Sequence, residues 1–456
     1  MADVSTILIL GASGDLTSRL LLPALGELLT IEDQRRVRLV GAGTDDRSDE
    51  EWQGAVRQAF QSVDASGPAV HELLESTSWV AADATTAEGL QAALDACDGT
   101  PAIYFAVPPA VTEKAVEALH GVTLPEGTVL ALEKPFGVDA RGARRLNALA
   151  LRLVPEDQVH RIDHFLGRST VQNLLGLRFA NRILEPVWNA EHIERVDLVY
   201  DEQLSLEGRA SYYDRAGALV DMIQSHLLQV LALFAMEPPS TTDAADLRDA
   251  KGLVLRATRV WDDDPGNASR RARYTAGSIA DRDIPNYVDE HGVNPENDTE
   301  TLAALTVQVD TWRWAGVPFT LRSGKALAAR RREIVVTFKP AARVPAGLRG
   351  DPKPTVLRIF LAPDELSLEL TMNGPGDPTV LDRVPLTAKF GAGRLPAYGE
   401  VLAGILDSDA SLSVRGDTAE QCWRIVEPVL DAWRQNQVPL ETYPAGSHGP
   451  ADWPRP

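Results

Sequence analysis

Residues 6–10 form a short unbroken apolar run, TILIL, that ends in Gly11-Ala12-Ser13-Gly14-Asp15-Leu16. Beyond that turn Leu20, Leu21, Leu22, Leu25 and Leu28 recur at helical spacing, so the order strand, glycine turn, helix is predicted. That order opens a mononucleotide-binding βαβ unit. Further apolar runs at 38–40, 102–107 and 128–133 read as buried strands, and 51–60 and 87–96 carry the period of amphipathic helices. Strands and helices in alternation predict a parallel sheet with helices on both faces.

Past residue 180 the pattern changes. Runs at 193–200, 252–261, 305–309, 333–338, 356–361 and 366–370 read as strands, several of them alternating, and two helices stand out at 216–234 and 419–434. This half is predicted to be α+β, a broad and mostly antiparallel sheet with helices on one face. The polar stretch 262–299, rich in Gly, Pro, Asn and Asp, reads as a long loop, and the tail after Leu440 as irregular. The chain is thus divided into a dinucleotide-binding α/β domain over 1–160 and a substrate-binding and dimerisation β+α domain over 161–456. The open face or edge of such a sheet suits a second copy, so a homodimer or homotetramer is expected.

At 456 residues, 44% hydrophobic and 24% charged, the chain has the composition of a soluble globular protein of more than one domain. The net charge of −20 argues against nucleic acid and anionic membrane as partners, because both need a basic surface. An anionic substrate then needs a local basic pocket. With only seven lysines in the chain, Lys134 and Lys325 are not background. Two cysteines, Cys97 and Cys422, outside any CxxC or Cys/His cluster, predict a reducing compartment and no zinc or other metal site. The start MADVSTILIL lacks the pattern of a leader, and no apolar run reaches about 18–20 residues, so a cytoplasmic protein is expected.

Chemistry concentrates in residues 161–168, RIDHFLGR, at the junction of the two halves, where ligand sites are favoured. Asp163 here is either a helix cap or a working carboxylate. His226 is either a buried core histidine or a base, since imidazole suits proton abstraction near neutral pH. The run Arg330-Arg331-Arg332 is either a solvated face or an anion contact.

The octet resembles the RIDHYLGK signature of the glucose-6-phosphate dehydrogenase family. So do GASGDLTSRLLLP at 11–23, EKPFG at 133–137, RFANRILEPVWN at 178–189, YYDRAGALVDMIQSHLLQ at 212–229 and VPFTLRSGKAL at 317–327, all in the family's order. The resemblance implies a Rossmann-type domain followed by a β+α domain with a large antiparallel sheet. The reaction it implies is oxidation of glucose 6-phosphate at C1 to the lactone with hydride passing to NAD or NADP, at the head of the oxidative pentose phosphate or Entner–Doudoroff route. By the same resemblance His226 is the base, Asp163 the carboxylate that orients it, and Lys134 the lysine between sugar and nicotinamide. Glu202 and Asp221 match contacts to sugar hydroxyls, and His164, Arg168, Lys325 and Arg330 the phosphate contacts. The implied coenzyme set is Gly11, Ser13, Gly14, Asp15, Leu16, Thr44, Asp45, Asp46, Arg47, Pro108 and Lys134. The chain's length implies no second, structural coenzyme.

Departures from the family pattern fall in two places. Phe165 and Arg168 stand where the family usually has Tyr and Lys, which removes a hydroxyl donor and replaces a compact ammonium by a planar fork. After the second strand, Thr44 takes the place of the arginine of NADP-preferring relatives and is followed by Asp45 and Asp46. Carboxylates there repel a 2′-phosphate and accept from a 2′-hydroxyl, so NAD or dual use is expected, with Arg47 the residue that complicates it. Leu20 likewise stands where the family often has a basic residue. The alternative is a dehydrogenase of another hexose or hexose derivative, related to the sugar oxidoreductases that share Glu-Lys-Pro. A non-catalytic homologue conflicts with retention of Asp163, His226, Lys134 and Lys325 together.

Overall fold

In the computed structural model, which describes residues 4–208, 210–391 and 393–454, the first apolar run is the fully buried strand Thr6–Leu10. The chain folds into two compact units. One holds the chain up to Arg168 with Pro239–Gly252 and Gly393–Trp423; the other holds Ser169–Pro238, residues 253–391 and the chain from Arg424 on. The boundary read from sequence at 160/161 falls inside the strand Val159–Ile162.

The first unit is built on a seven-stranded sheet in the order Ser413–Val414, Val159–Ile162, Val129–Glu133, Pro101–Phe105, Thr6–Leu10, Arg38–Gly43, Ser78–Ala81. All its pairings are parallel except that of Ser413–Val414, as the alternating pattern predicts. Ile7, Ile9, Leu25, Leu28, Trp52 and Phe60 share its core with Leu402, Ile405 and Leu406 of the helix Ala397–Leu406. Each such aliphatic side chain contributes roughly 2 kcal/mol on burial.

In the second unit the main sheet runs Leu381–Lys389, Glu365–Asn373, Val356–Phe360, Arg331–Phe338, Ile193–Asp201, Phe319–Gly324, Leu302–Val309, Ser269–Thr275, Leu440–Pro444, with Thr258–Val260 beside Leu302–Val309. It is mostly antiparallel. Its parallel pairs are Ile193–Asp201 with Phe319–Gly324, and Ser269–Thr275 with Leu440–Pro444. A long buried helix starts at Ala210, breaks at Gly217, continues in wide π-type turns over Leu219–Leu227 and ends as α-helix Leu228–Ala235.

Four expectations are corrected. Residues 252–261 are not one strand: most belong to the helix Ala244–Ala257, and only Thr258–Val260 is strand. Leu247, Lys251, Val254 and Leu255 are buried while Leu253 is exposed, which is helical rather than alternating spacing. The stretch 262–299 is not a loop throughout; it contains Ser269–Thr275 and the hairpin Gly277–Ile279 with Arg282–Ile284. The tail is not irregular throughout, because Leu440–Pro444 pairs in the sheet. Finally, the segment Tyr212–Ala235 is long and apolar enough to cross a membrane, but 94% of its apolar window is buried inside the protein, as befits a core helix.

Candidate active site

Every residue assigned in the first unit follows the carboxyl end of a parallel strand. Residues 11–16 follow Thr6–Leu10, 44–47 follow Arg38–Gly43, Pro108 comes after Pro101–Phe105, Lys134 after Val129–Glu133, and 163–168 follow Val159–Ile162. In open parallel sheets that edge is where ligands bind.

Gly11 has φ +81°, and a Cβ there would lie 2.6 Å from the Ala106 carbonyl oxygen. Gly14 N–H closes the turn on the Gly11 carbonyl at 3.0 Å. The backbone is therefore bare where the helix that runs on to Ile31 begins, with Ser13 and Asp15 exposed and Leu16 half-buried. A glycine turn that leads into a helix N-terminus lets a pyrophosphate approach the backbone closely, so a dinucleotide fits this turn. Leu20 is exposed, and Asp15 pairs with Arg19 at 3.1 Å.

After the second strand Thr44, Asp45 and Asp46 are exposed. Arg47 is half-buried, its guanidinium 5.0 Å from the centre of the Trp79 ring. Trp79 is fixed by its indole N–H on the Asp45 carbonyl at 3.1 Å and by its backbone N–H on the Asp49 carboxylate at 2.6 Å.

Asp163 is buried, and its Oδ1 accepts the Phe165 N–H at 2.9 Å. This is a turn-forming bond inside the octet; the next helix begins only at Ser169, so the helix-cap reading is replaced by a turn. His164 is stacked on Tyr398 with centroids 5.2 Å apart and planes 12° apart. Arg168 lies 4.6 Å from the centre of the Phe165 ring, so the two departures from the family pattern touch each other. The Glu133 carboxylate, next to Lys134, accepts the Tyr104 hydroxyl at 2.5 Å. Burial raises its pKa against the pull of that hydroxyl, of Lys134 and of Tyr398. Lys251, also buried, is brought down to about 8 by desolvation while the Asp163 carboxylate pulls it up.

In the second unit Asp201 and Gly324 are register partners at the ends of parallel strands. The residues that follow each, Glu202 and Lys325, therefore emerge side by side. Lys325 Nζ lies 2.8 Å from Glu202 Oε2, with the side chains 7% and 16% exposed. Arg332, paired with Tyr200 in the antiparallel neighbour strand, brings Nη2 to 3.5 Å from Glu202 Oε1. Lys325 Nζ also sits 5.1 Å from the centre of the Tyr213 ring. Asp221 and His226 lie on the wide-turned segment of the long helix; Asp221 Oδ1 accepts the Tyr212 hydroxyl at 3.3 Å, and His226 is buried. Arg330 is exposed, outside this cluster. The solvated-face reading is corrected for the rest of the run, since Arg331 pairs with Glu333 at 2.8 Å and Arg332 with Glu202.

Residues 8–173 match the family model "Glucose-6-phosphate dehydrogenase, NAD binding domain", and residues 175–455 match "Glucose-6-phosphate dehydrogenase, C-terminal domain". The chain belongs to the glucose-6-phosphate dehydrogenase family. The glucose-6-phosphate 1-dehydrogenase of Gluconobacter oxydans is 39% identical over 461 residues, covering 97% of this chain and 94% of its own. The crystal structure of the Mycobacterium avium glucose-6-phosphate 1-dehydrogenase superposes with a TM-score of 0.86 at 33% identity, over 99% of this chain and 96% of that one. A glucose-6-phosphate dehydrogenase in complex with its substrate glucose-6-phosphate gives 0.87 at 29% identity, over 99% and 97%. Membership of this family carries a nicotinamide dinucleotide as coenzyme.

Sequence reasoning within the family pattern missed Tyr398, Tyr104, Lys251 and Tyr213. Tyr398 and Lys251 come from segments that rejoin the first unit late in the chain, so no local spacing ties them to His164 or Asp163. Arg332 stood in the run read as a solvated face or an anion contact, and its register with Tyr200 brings it to Glu202.

Proposed function

We propose that this protein oxidises glucose 6-phosphate at C1 to the 6-phosphogluconolactone, using NAD, alone or together with NADP. The observation that carries the reading is the cluster of buried Lys325 with half-buried Glu202 and Arg332 at adjoining strand ends, in a chain whose long helix presents Asp221 and His226. A mixed set of cations and carboxylate suits a ligand that is both anionic and rich in hydroxyls.

The dinucleotide's pyrophosphate is held by the turn of Gly11, Ser13, Gly14, Asp15 and Leu16, with Pro108 and Lys134 along the same strand ends. When bound, nicotinamide supplies the acceptor for the hydride from C1. His226 takes the C1 hydroxyl proton as the C1–H bond breaks, so that C1=O forms and the imidazole becomes cationic. Asp163 serves that step as the carboxylate that favours the imidazolium, in the manner of acid–base pairs generally. Lys325, His164 and Arg168 bind the phosphate, Glu202 and Asp221 the sugar hydroxyls, and Lys134 orients the reacting end. Arg330 makes an outer contribution to the phosphate field.

For the coenzyme, exposed Asp45 and Asp46 after the second strand favour a free 2′-hydroxyl, while Thr44 offers no cation. Two copies of the chain are expected to associate, because Met372 and Leu386 are exposed on the outer strands of the large sheet.

His226→Asn tests the assignment. Turnover is expected to fall by roughly 10⁴-fold or more, with equilibrium binding of glucose 6-phosphate within a few-fold of the parent. Turnover within tenfold of the parent contradicts the role of His226.

A further inference from the structure

The long helix of the second unit is held just past its break by a carboxylate from another element. Its first segment breaks at Gly217 (φ 64°, ψ 177°), and the turns that carry Asp221 and His226 begin at Leu219. The first N–H groups of a helix have no partner within it and must find one elsewhere. Glu300, 6% exposed, supplies it: its Oε1 accepts the Leu219 N–H at 2.8 Å, and its backbone carbonyl accepts the Ala218 N–H at 3.3 Å.

Two features make the contact specific. A Cβ on Gly217 would lie 2.3 and 2.5 Å from the two carboxylate oxygens of Glu300, so only glycine at the break admits the carboxylate. The base of Glu300 is also fixed, because it stands two residues before the strand Leu302–Val309. Its neighbour Thr301 donates its N–H to the Ala272 carbonyl at 2.9 Å and accepts the Lys325 N–H at 2.8 Å. One short stretch, Glu300-Thr301, therefore grips the helix start with a side chain and the backbone of Lys325 with a carbonyl. Arg271, on the neighbouring strand, adds a favourable charge pull on the carboxylate.

We propose that Glu300 is a positioning residue, which registers the helix carrying Asp221 and His226 against the sheet end carrying Lys325, so that base and phosphate contact keep one geometry. The inference rests on the reading of His226 as base and Lys325 as phosphate ligand. Glu300 touches neither sugar nor coenzyme in this role. Its effect runs through the placement of residues that do.

The test compares Glu300→Asp and Glu300→Gln in the full-length protein, with His226→Asn alongside, and normalises turnover to the folded fraction. Asp keeps the charge but withdraws the acceptor from Leu219 by one methylene; Gln loses the charge and keeps an oxygen acceptor. Because misplacement by about 1 Å costs up to about 100-fold, kcat of Glu300→Asp is expected to fall at least about tenfold with KM for the coenzyme within about twofold. The kcat of Glu300→Gln is expected to recover to within about threefold of the parent, as for a hydrogen-bond acceptor whose charge is not the working feature. Parental kcat in Glu300→Asp overturns the proposal, and so does a Glu300→Gln variant more impaired than Glu300→Asp. If Glu300→Asp is insoluble, Glu300→Gln alone decides, a kcat below about a tenth of the parent overturning the proposal. Turnover surviving in His226→Asn overturns the base assignment and this inference with it. A dead His226→Asn beside an unimpaired Glu300→Asp overturns this inference alone.

Discussion

Lys325 Nζ sits 2.8 Å from Glu202 Oε2, both side chains nearly enclosed, because their strands end together as parallel register partners. The ammonium assigned to a phosphate and the carboxylate assigned to sugar hydroxyls are therefore ion-paired with each other. A bound sugar phosphate has to share or rearrange that pair, so the two residues are coupled in binding. Lys325→Met is expected to raise KM for glucose 6-phosphate by roughly 100-fold and to destabilise the fold by about 3 kcal/mol, since it leaves a carboxylate buried without its main partner. Adding Glu202→Gln should restore much of the stability and none of the affinity. Denaturant melts and initial rates on the single and double variants check both halves.

Gly11→Ala places a methyl 2.6 Å from the Ala106 carbonyl oxygen at a residue with φ +81°. The strain alone is worth about 1–3 kcal/mol, and the methyl fills the approach of a pyrophosphate. Dinucleotide binding is expected to weaken at least about tenfold, while Kd for glucose 6-phosphate stays within about threefold, since the sugar's contacts are made elsewhere. Calorimetric titration of each ligand separates the two.

At the coenzyme loop, Thr44→Arg adds a cation beside the position of the ribose hydroxyls. The ratio of kcat/KM for NADP to that for NAD is expected to rise at least about tenfold, as one charge-assisted contact to a phosphate is worth about 1.5–3 kcal/mol. Arg47 is already stacked on Trp79. If Arg47→Ala removes NADP activity while sparing NAD, the stacked guanidinium is what reads the 2′-phosphate.

Glu300 gives a pH dependence of stability. Burial raises its pKa from 4.5 to about 7, against the amide donors of Leu219 and Ala218 and the pull of Arg271. An acid raised in the folded state stabilises it fully below the unfolded pKa and loses that contribution as pH rises through the folded pKa. The unfolding free energy of the parent, relative to Glu300→Gln, should therefore fall by about 3 kcal/mol between pH 4 and pH 8. Urea melts of both proteins across that range measure the difference, and a flat difference contradicts it.

Much of this was legible in the sequence where a segment's partners lie in its own pattern. The run at 6–10 with its glycine turn, and the leucines that follow, specify strand, turn and helix locally. The strand Ser269–Thr275 was not legible, because Arg270, Arg271 and Arg273 interrupt any apolar alternation. Two of its charges are answered by distant groups: Arg270 by Glu441 and Asp452, Arg271 by the carbonyls of Trp433 and Val438. The same absence of local partners hid Leu440–Pro444, whose pairing is with that strand. In the site, Lys325 and Glu202 were each singled out, but their ion pair depends on two parallel strands that no spacing in the sequence sets side by side. Tyr398 was hidden for a like reason, its stacking on His164 being made by a segment that returns from far along the chain.

The central claim is oxidation of a phosphorylated sugar, and initial-rate reduction of NAD with glucose 6-phosphate and with glucose tests it most directly. The expected result is turnover of glucose 6-phosphate with kcat/KM at least about 1,000-fold above that for glucose, because the unphosphorylated sugar forfeits the charge-assisted contacts assigned to Lys325, His164 and Arg168. Equal rates with the two sugars, or turnover of glucose alone, would contradict the assignment of Lys325, His164 and Arg168 to a phosphate.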